Sequence, residues 1–313
     1  MGMITQCVDS KMSDDQENNS THLEDLIHAT GTWYYPISAP HHISFNGEVL
    51  MNKLDFKTKK ELNQKISMLT CYDYPSACTI AESSLDCVLV GDSVAMAVHG
   101  HDSTLMATID MMVMHTAAVA RGLKKQFLIS DLPFLSYRVS REDTLLNVKK
   151  LLQAGAQAIK LEGADADACQ TIDYLTTCGI PVMGHIGLTP QSVHQLGGYR
   201  IQGREHEQAV QILQNAQRLE AAGCFALVVE CIPSSLAKTI TEALTIPVIG
   251  IGAGSETDGQ VLVWHDALGL QTVLTPRFVK RFIEGKELLL QAINAFDAQT
   301  KSVSFPAKEH EFA

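Results

Sequence analysis

The chain has 313 residues, is 46% hydrophobic, and carries 35 Asp and Glu against 24 Lys and Arg, a formal net charge of −11. With no basic cluster larger than Lys59-Lys60 or Lys124-Lys125, nucleic acid and anionic membranes are poor partners. The length suits one large α/β unit, since barrels of about 250 residues fold as a single domain.

The eight cysteines form no Cys-x-x-Cys pair and no zinc-ribbon spacing, and read as reduced, mostly buried thiols. No apolar run reaches the roughly 18 residues of a spanning helix. The first thirty residues carry Asp14, Asp15, Glu17, Glu24 and Asp25 in place of a basic-then-apolar leader, so a cytoplasmic location is expected.

Residues 1–50 are rich in Asn, Ser, Asp and His, and Trp33-Tyr34-Tyr35-Pro36 has no periodic partner. They read either as a regulatory or assembly arm or as a disordered extension ahead of a natural start at Met51, the second being the simpler expectation. A catalytic barrel is expected over 51–292, with a tail over 293–313.

From Leu54 the rhythm is strand, loop, helix. A first strand over 66–70 leads to a helix that Pro75 can open. The second, 87–90, is followed by a long loop from Asp92 to Thr108, and loops of that length usually have a function. A helix over 109–121 stops at Gly122, and a third strand follows at 127–130. Ser140 caps the next helix with Asp143 in the capping-box position, and Gly155 ends it. The fourth strand is 158–161, its helix bears Ala168, Ile172 and Leu175, and the fifth strand is 182–186. A helix over 205–222 shows Ala209, Ile212, Leu213, Ala216 and Leu219 on one face. Strand 225–229, a helix opened by Pro233, strand 248–251, a weaker eighth strand at 268–273 and closing helices over 277–296 complete the count. Eight strands alternating with helices favour a closed (β/α)8 TIM barrel over an open doubly wound sheet.

Strand after strand runs into a charged or imidazole side chain at its carboxyl end: Asp92, Asp131, Glu162, His185 and Glu230. That is the pattern of a barrel with its active site on one rim. Lys160 and Glu162, two apart on one strand, share a face, and the barrel axis suits a lysine better than an apolar helix layer. Taken alone they could be a structural ion pair; the neighbouring acids favour a site. Several carboxylates on one rim cannot all stay ionised without compensation, which a lysine and a divalent cation supply. Oxygen ligands without clustered thiolates suggest Mg²⁺ or another hard ion rather than zinc. His99 and His101 are weak evidence for zinc; substrate contact or solvent exposure is the simpler reading. For Gly250-Ile251-Gly252-Ala253-Gly254 two readings stay open, phosphate binding on backbone N–H groups and tight turns close to substrate.

The stretches Thr70-Cys71-Tyr72-Asp73-Tyr74, Val90-Gly91-Asp92-Ser93, Gly100-His101-Asp102-Ser103-Thr104-Leu105, Asp131-Leu132-Pro133-Phe134 and Lys160-Leu161-Glu162-Gly163 closely resemble one family. So do Gly184-His185-Ile186-Gly187-Leu188-Thr189-Pro190-Gln191, Gly197-Gly198-Tyr199, Gln202-Gly203-Arg204, Glu230-Cys231-Ile232-Pro233, the run from Ile246 to Gly254, and His265-Asp266. The family is 3-methyl-2-oxobutanoate hydroxymethyltransferase, also called ketopantoate hydroxymethyltransferase, and the likeness spans 54–282. The resemblance implies a Mg²⁺-dependent barrel of the phosphoenolpyruvate/pyruvate superfamily, with one ion per subunit. It implies transfer of a hydroxymethyl group from 5,10-methylenetetrahydrofolate to 3-methyl-2-oxobutanoate, giving 2-dehydropantoate for pantothenate and coenzyme A. Carried over, Asp92 and Asp131 bind the metal and Glu162 is a further, water-mediated ligand. Ser93 and Lys160 contact the keto acid, Glu230 accepts the proton, and His185 lines the site. The chemistry of the residues agrees: a 2-oxo acid can chelate Mg²⁺, and the ion and Lys160 can then stabilise the enolate that a base creates. The resemblance also implies a homo-oligomer, a decamer of paired pentameric rings. Departures are Val94-Ala95-Met96 and Met106 in the long loop, which bear on substrate fit rather than on the charged residues. A lyase of the isocitrate lyase type is the alternative enzyme, but its Lys-Lys-Cys-Gly-His loop is not found. A non-catalytic barrel would be expected to lack one or more of these charged residues.

Overall fold

The computed structural model describes residues 42–43, 49–271 and 276–312; the expectations for residues 1–41 lie outside them. Contacts divide the chain into Met1–Pro40 and His41–Ala313, and every described residue belongs to the second unit. A two-residue antiparallel ladder, His42–Ile43 with Val49–Leu50, precedes the barrel.

Eight strands close on themselves, each parallel to its neighbours: β1 Ile66–Thr70, β2 Cys87–Val90, β3 Phe127–Asp131, β4 Ala158–Glu162, β5 Val182–Gly187, β6 Ala226–Glu230, β7 Val248–Ile251 and β8 Gly259–Leu262. Most are buried on both faces, as parallel strands between a filled axis and a helix layer must be. Alternation then sorts the side chains. Met68, Cys87, Leu89, Phe127, Ile129, Ala158, Met183, Ala226, Val228 and Ile249 fill the axis. Val88, Val90, Leu128, Ile159, Leu161, Leu227 and Val229 face outward to the helices.

The helices are α1 Lys53–Glu61, α2 Tyr74–Ala81, α3 Val94–Ala97, α4 Ile109–Gly122, α5 Arg141–Gln153, α6 Ala166–Thr177, α7 His206–Ala221, α8 Ser234–Ala243, α9 Trp264–Ala267 and α10 Gly285–Lys301. In α7 the buried residues are Ile212, Ala216 and Leu219, the inner stripe expected from their spacing. Ser140 caps α5 by accepting from the Asp143 N–H, but the Asp143 carboxylate returns to the Ser140 hydroxyl rather than to its backbone. The long loop after β2 contains α3 and a 3-10 turn, Thr104–Met106.

The helix α1 was not anticipated. Asn52 accepts from the Leu54 N–H at 2.8 Å while the Asp55 carboxylate accepts from the Asn52 N–H at 2.8 Å, a reciprocal cap. The helix carries Phe56 into the amino end of the barrel, fully buried, with its ring edge-on to Phe127 at 5.3 Å and Phe225 at 5.1 Å.

The eighth strand corrects the sequence reading. It lies at Gly259–Leu262 rather than 268–273, of which 272–273 fall outside the described residues. Closure requires a segment that bonds to both β7 and β1, and this one pairs Gly259 with Ile249 and with Ile66. A side chain at Gly259 would put its Cβ 2.4 Å from the Ile66 carbonyl oxygen, so glycine permits the seam to close. The expected closing helices over 277–296 become turns followed by α10. Only Gly285 of α10 is buried; Leu288, Leu289, Ile293 and Phe296 are each more than half exposed. Beside β8 and β1 a cavity of about 1300 Å³ opens, lined by Leu85, Leu262, Leu268, Phe278 and Phe282 among others.

Replacing Phe56 by Ala removes the aromatic plug from a site with no solvent access. The substitution is expected to cost about 3–5 kcal/mol, read as a lower urea midpoint at unchanged slope.

Candidate active site

The alternation that puts Ala158 on the axis puts Lys160 and Glu162 there too, one and two steps nearer the carboxyl rim. The same parity brings up Asp131 above Phe127 and Ile129, His185 above Met183, and Glu230 above Ala226 and Val228. Register sets the neighbours: Lys160 lies beside Asp131, His185 beside Glu162, and Glu230 beside Gly187. Gly187 has φ +93°, and a Cβ there would fall 2.3 Å from the Glu230 carbonyl oxygen. Asp92 comes from the turn just past β2, where its N–H donates to Asp131 Oδ2 at 3.1 Å.

These groups form one connected cluster. Lys160 Nζ lies 3.0 Å from Asp131 Oδ1 and 3.9 Å from Glu162 Oε1. His185 Nδ1 lies 3.3 Å from Glu162 Oε1, and its Nε2 3.4 Å from Glu230 Oε2. The side chains of Asp131, Lys160, Glu162 and His185 are at most 5% exposed, against 17% for Glu230. Glu230 is therefore the acid of the cluster most open to solvent.

The electrostatics follow from burial against neighbouring charge. Burial first, then the negative Asp131 and Glu162, push the Asp92 carboxyl well above its usual range. Burial raises Asp131 as well, with Lys160 opposing. For Lys160, burial disfavours the charge, but Asp131, Glu162 and Asp92 outweigh it and hold the ammonium protonated. Burial also works against ionised Glu162; His185 and Lys160 prevail and keep it low. Burial and Lys160 would lower His185, yet Glu162 and Glu230 carry it to about 9.

The donor set suits a hard cation. Asp131 Oδ1 is sealed from solvent with the Lys160 ammonium as its close partner among the described residues, and Asp92 is held far from easy ionisation. Oxygen ligands short of positive charge are what Mg²⁺ takes. Among the described residues, no three His, Cys, Asp or Glu side chains are already gathered to hold an ion. The reason is visible: Lys160 leans on Asp131, and Glu162 is turned to His185 and to the Gln191 N–H.

Ser93 meets the Tyr72 hydroxyl at 2.8 Å. Tyr72 is fixed on two further sides, by the His265 ring stacked at 5.6 Å and by His115 Nδ1, which bonds its carbonyl. His99 bonds His115 through the two Nε2 atoms at 2.9 Å, so of the two loop histidines one braces the loop. In the glycine run, the close approaches are to the chain itself: a Cβ at Gly254 would fall 2.5 Å from Ser234 Cβ, and one at Gly252 2.9 Å from Phe278. The sequence assigns no role to Tyr72, Tyr137 or Gln191, although Tyr72 lies within Thr70–Tyr74 and Gln191 ends the run Gly184–Gln191. Their signal is polarity without exposure: all three are buried.

A closed parallel barrel with acids, a lysine and a histidine meeting on its carboxyl rim defines an α/β-barrel enzyme. Residues 51–308 match ketopantoate hydroxymethyltransferase, and the chain belongs to that family. It is 66% identical over 258 residues to a 3-methyl-2-oxobutanoate hydroxymethyltransferase of Legionella pneumophila (strain Paris), covering 82% of this chain and 98% of the relative. With the enzyme of that name from Coxiella burnetii (strain CbuG_Q212) it shares 49% identity over 261 residues, 83% of this chain and 98% of the relative. Among solved structures, phosphoenolpyruvate phosphomutase from Streptomyces platensis subsp. rosaceus superposes with a TM-score of 0.56 at 11% identity, covering 84% of this chain and 92% of that one. A 2,3-dimethylmalate lyase of the PEP mutase/isocitrate lyase superfamily gives 0.53 at 14% identity, over 83% and 91%. At such identities these two establish the shared barrel.

The shifts have a sign that can be measured. Groups whose folded pKa is raised (Asp92, Asp131, His185) stabilise fully below their unfolded values, and lose that contribution as pH rises through the folded ones. Glu162, being lowered, weakens the fold only as pH falls through its own folded value. In chelator, the melting temperature is expected to fall between pH 5 and pH 9, and Mg²⁺ to raise it more at the alkaline end.

Proposed function

We propose that the chain transfers a one-carbon unit from 5,10-methylenetetrahydrofolate to 3-methyl-2-oxobutanoate, forming 2-dehydropantoate in pantothenate biosynthesis. The observation that carries this reading is that a chain 66% identical to a relative of that name has Asp92, Asp131, Lys160, Glu162, His185 and Glu230 joined in one cluster.

In this reading Asp92 and Asp131 hold Mg²⁺, with Glu162 acting at one remove through water. When bound, the ion would supply Lewis-acid stabilisation of the charge that develops on the keto oxygen. Lys160, charged and buried, faces the same charge, and Ser93, tethered by Tyr72, orients the keto acid. Glu230 takes the proton from carbon 3. Its only close polar neighbour in the cluster is His185 at 3.4 Å, which leaves it free to approach that carbon. The electron pair released from the C–H bond forms the new C–C bond to the folate methylene carbon. Transfer of the methylene group as hydroxymethyl consumes one water and frees tetrahydrofolate. His185 joins Glu162 to Glu230 and lines the floor between them.

No described helix is long and apolar enough to cross a membrane, and a cytoplasmic location fits the proposed reaction. A homo-oligomer is also part of this reading, with a decamer as the family expectation. The exposed leucines, Ile293 and Phe296 of α10 and the apolar cavity beside β8 are surfaces that such an assembly would bury.

Mixing the protein with both substrates and Mg²⁺ should yield 2-dehydropantoate. Glu230→Gln should still bind 3-methyl-2-oxobutanoate but slow exchange of its carbon-3 proton with D₂O about 10²–10⁴-fold, followed by proton NMR. Exchange at the wild-type rate would remove Glu230 from the role. Light scattering of the full chain should give a mass several times that of one protomer, and a monomer would end the assembly proposal.

A further inference from the structure

Gln191 stands just past β5, in the 3-10 turn Pro190–Ser192, and is 4% exposed. From there it reaches the ends of three other strands. Its Nε2 donates to Asp92 Oδ2 at 2.8 Å and to the carbonyl of Leu132, the residue after Asp131, at 3.0 Å. Its backbone N–H donates to Glu162 Oε2 at 3.0 Å. Its Oε1 accepts from the Tyr137 hydroxyl at 2.8 Å, and that hydroxyl also lies 3.0 Å from the Glu162 carbonyl.

The orientation of this amide is determined by its partners. A primary amide has two hydrogens on one side and a carbonyl oxygen on the other. The two hydrogens point at Asp92 Oδ2 and at the Leu132 carbonyl, and a peptide carbonyl can only accept. Turned over, the amide would set its own oxygen against the Leu132 carbonyl with no hydrogen between them. Tyr137 could serve either orientation, because a hydroxyl both donates and accepts; the Leu132 carbonyl cannot.

We propose that Gln191 is a positioning residue for the cation site, presenting Asp92 by its free oxygen and holding Glu162 back from it. The amide engages Asp92 Oδ2, while Oδ1 takes no hydrogen bond among the described residues. Being neutral, it steadies the carboxylate without cancelling the negative charge that a cation needs; a lysine here would compete with the ion. The N–H on Glu162 Oε2, opposite the Oε1 that faces His185, fixes that carboxylate on both sides. One residue thus ties the four strand ends of β2 to β5 into a single geometry. The inference rests on the reading of Asp92 and Asp131 as cation ligands.

The test is a Mn²⁺ titration of the full-length protein followed by electron paramagnetic resonance, with melting curves in chelator as a control for folding. Gln191→Met keeps the length and the backbone N–H but removes both donors, and is expected to weaken Mn²⁺ about 10–100-fold, the usual scale for residues that orient metal ligands. Gln191→Asn, polar but one methylene too short to reach Asp92, should show the same loss and stands in if the methionine variant fails to fold. Tyr137→Phe leaves the amide held by its two acceptors and should change the affinity by less than about threefold, below that scale. Wild-type affinity in either folded Gln191 variant overturns this inference alone. A wild-type protein that captures no Mn²⁺ overturns the cation reading along with it.

Discussion

The structure depends on an imbalance of charge in a buried cluster. Asp92, Asp131 and Glu162 are buried within one cluster that holds a single lysine and a single histidine. At an effective dielectric near 20, two unit charges about 4 Å apart interact by about 4 kcal/mol. One unmatched charge is then comparable to the whole stability of a domain, about 5–15 kcal/mol. The protein meets this by keeping Lys160 and His185 charged and by pushing Asp92 and Asp131 toward their neutral forms. A divalent cation bound there would let those two ionise, so that its binding would release protons.

The barrel makes such a cluster affordable by dividing each strand. The amino-terminal halves point Met68, Phe127, Ala158, Met183 and Ala226 at the axis and supply apolar packing. The last axial position of β3, β4 and β6 is instead an acid, held by a ladder whose register is enforced from both sides. The charged layer is therefore positioned by hydrogen bonds and packing that owe nothing to the charges themselves.

Much of this was legible in the chain. Parity alone placed Lys160 and Glu162 on one face, and the recurrence of an acid or imidazole after each apolar run predicted a shared rim; the distances agree. Two kinds of feature were not legible. The eighth strand was missed because closure is a long-range demand: Gly259-Gln260-Val261-Leu262 is a strand by virtue of Ile66 and Ile249, not by its own composition, whereas Leu268-Gly269-Leu270-Gln271, of nearly the same composition, carries no strand. Gln191 and Tyr137 were missed because an uncharged donor announces nothing by spacing. Their importance lies in what they touch, and those partners are 29 to 99 positions distant for Gln191.

The Phe56 plug has a consequence for traffic. With Phe56, Phe127 and Phe225 interlocked beneath the charged layer, the barrel axis is stoppered at its amino end. A molecule that reaches the charged layer along the axis must therefore come and go over the carboxyl rim.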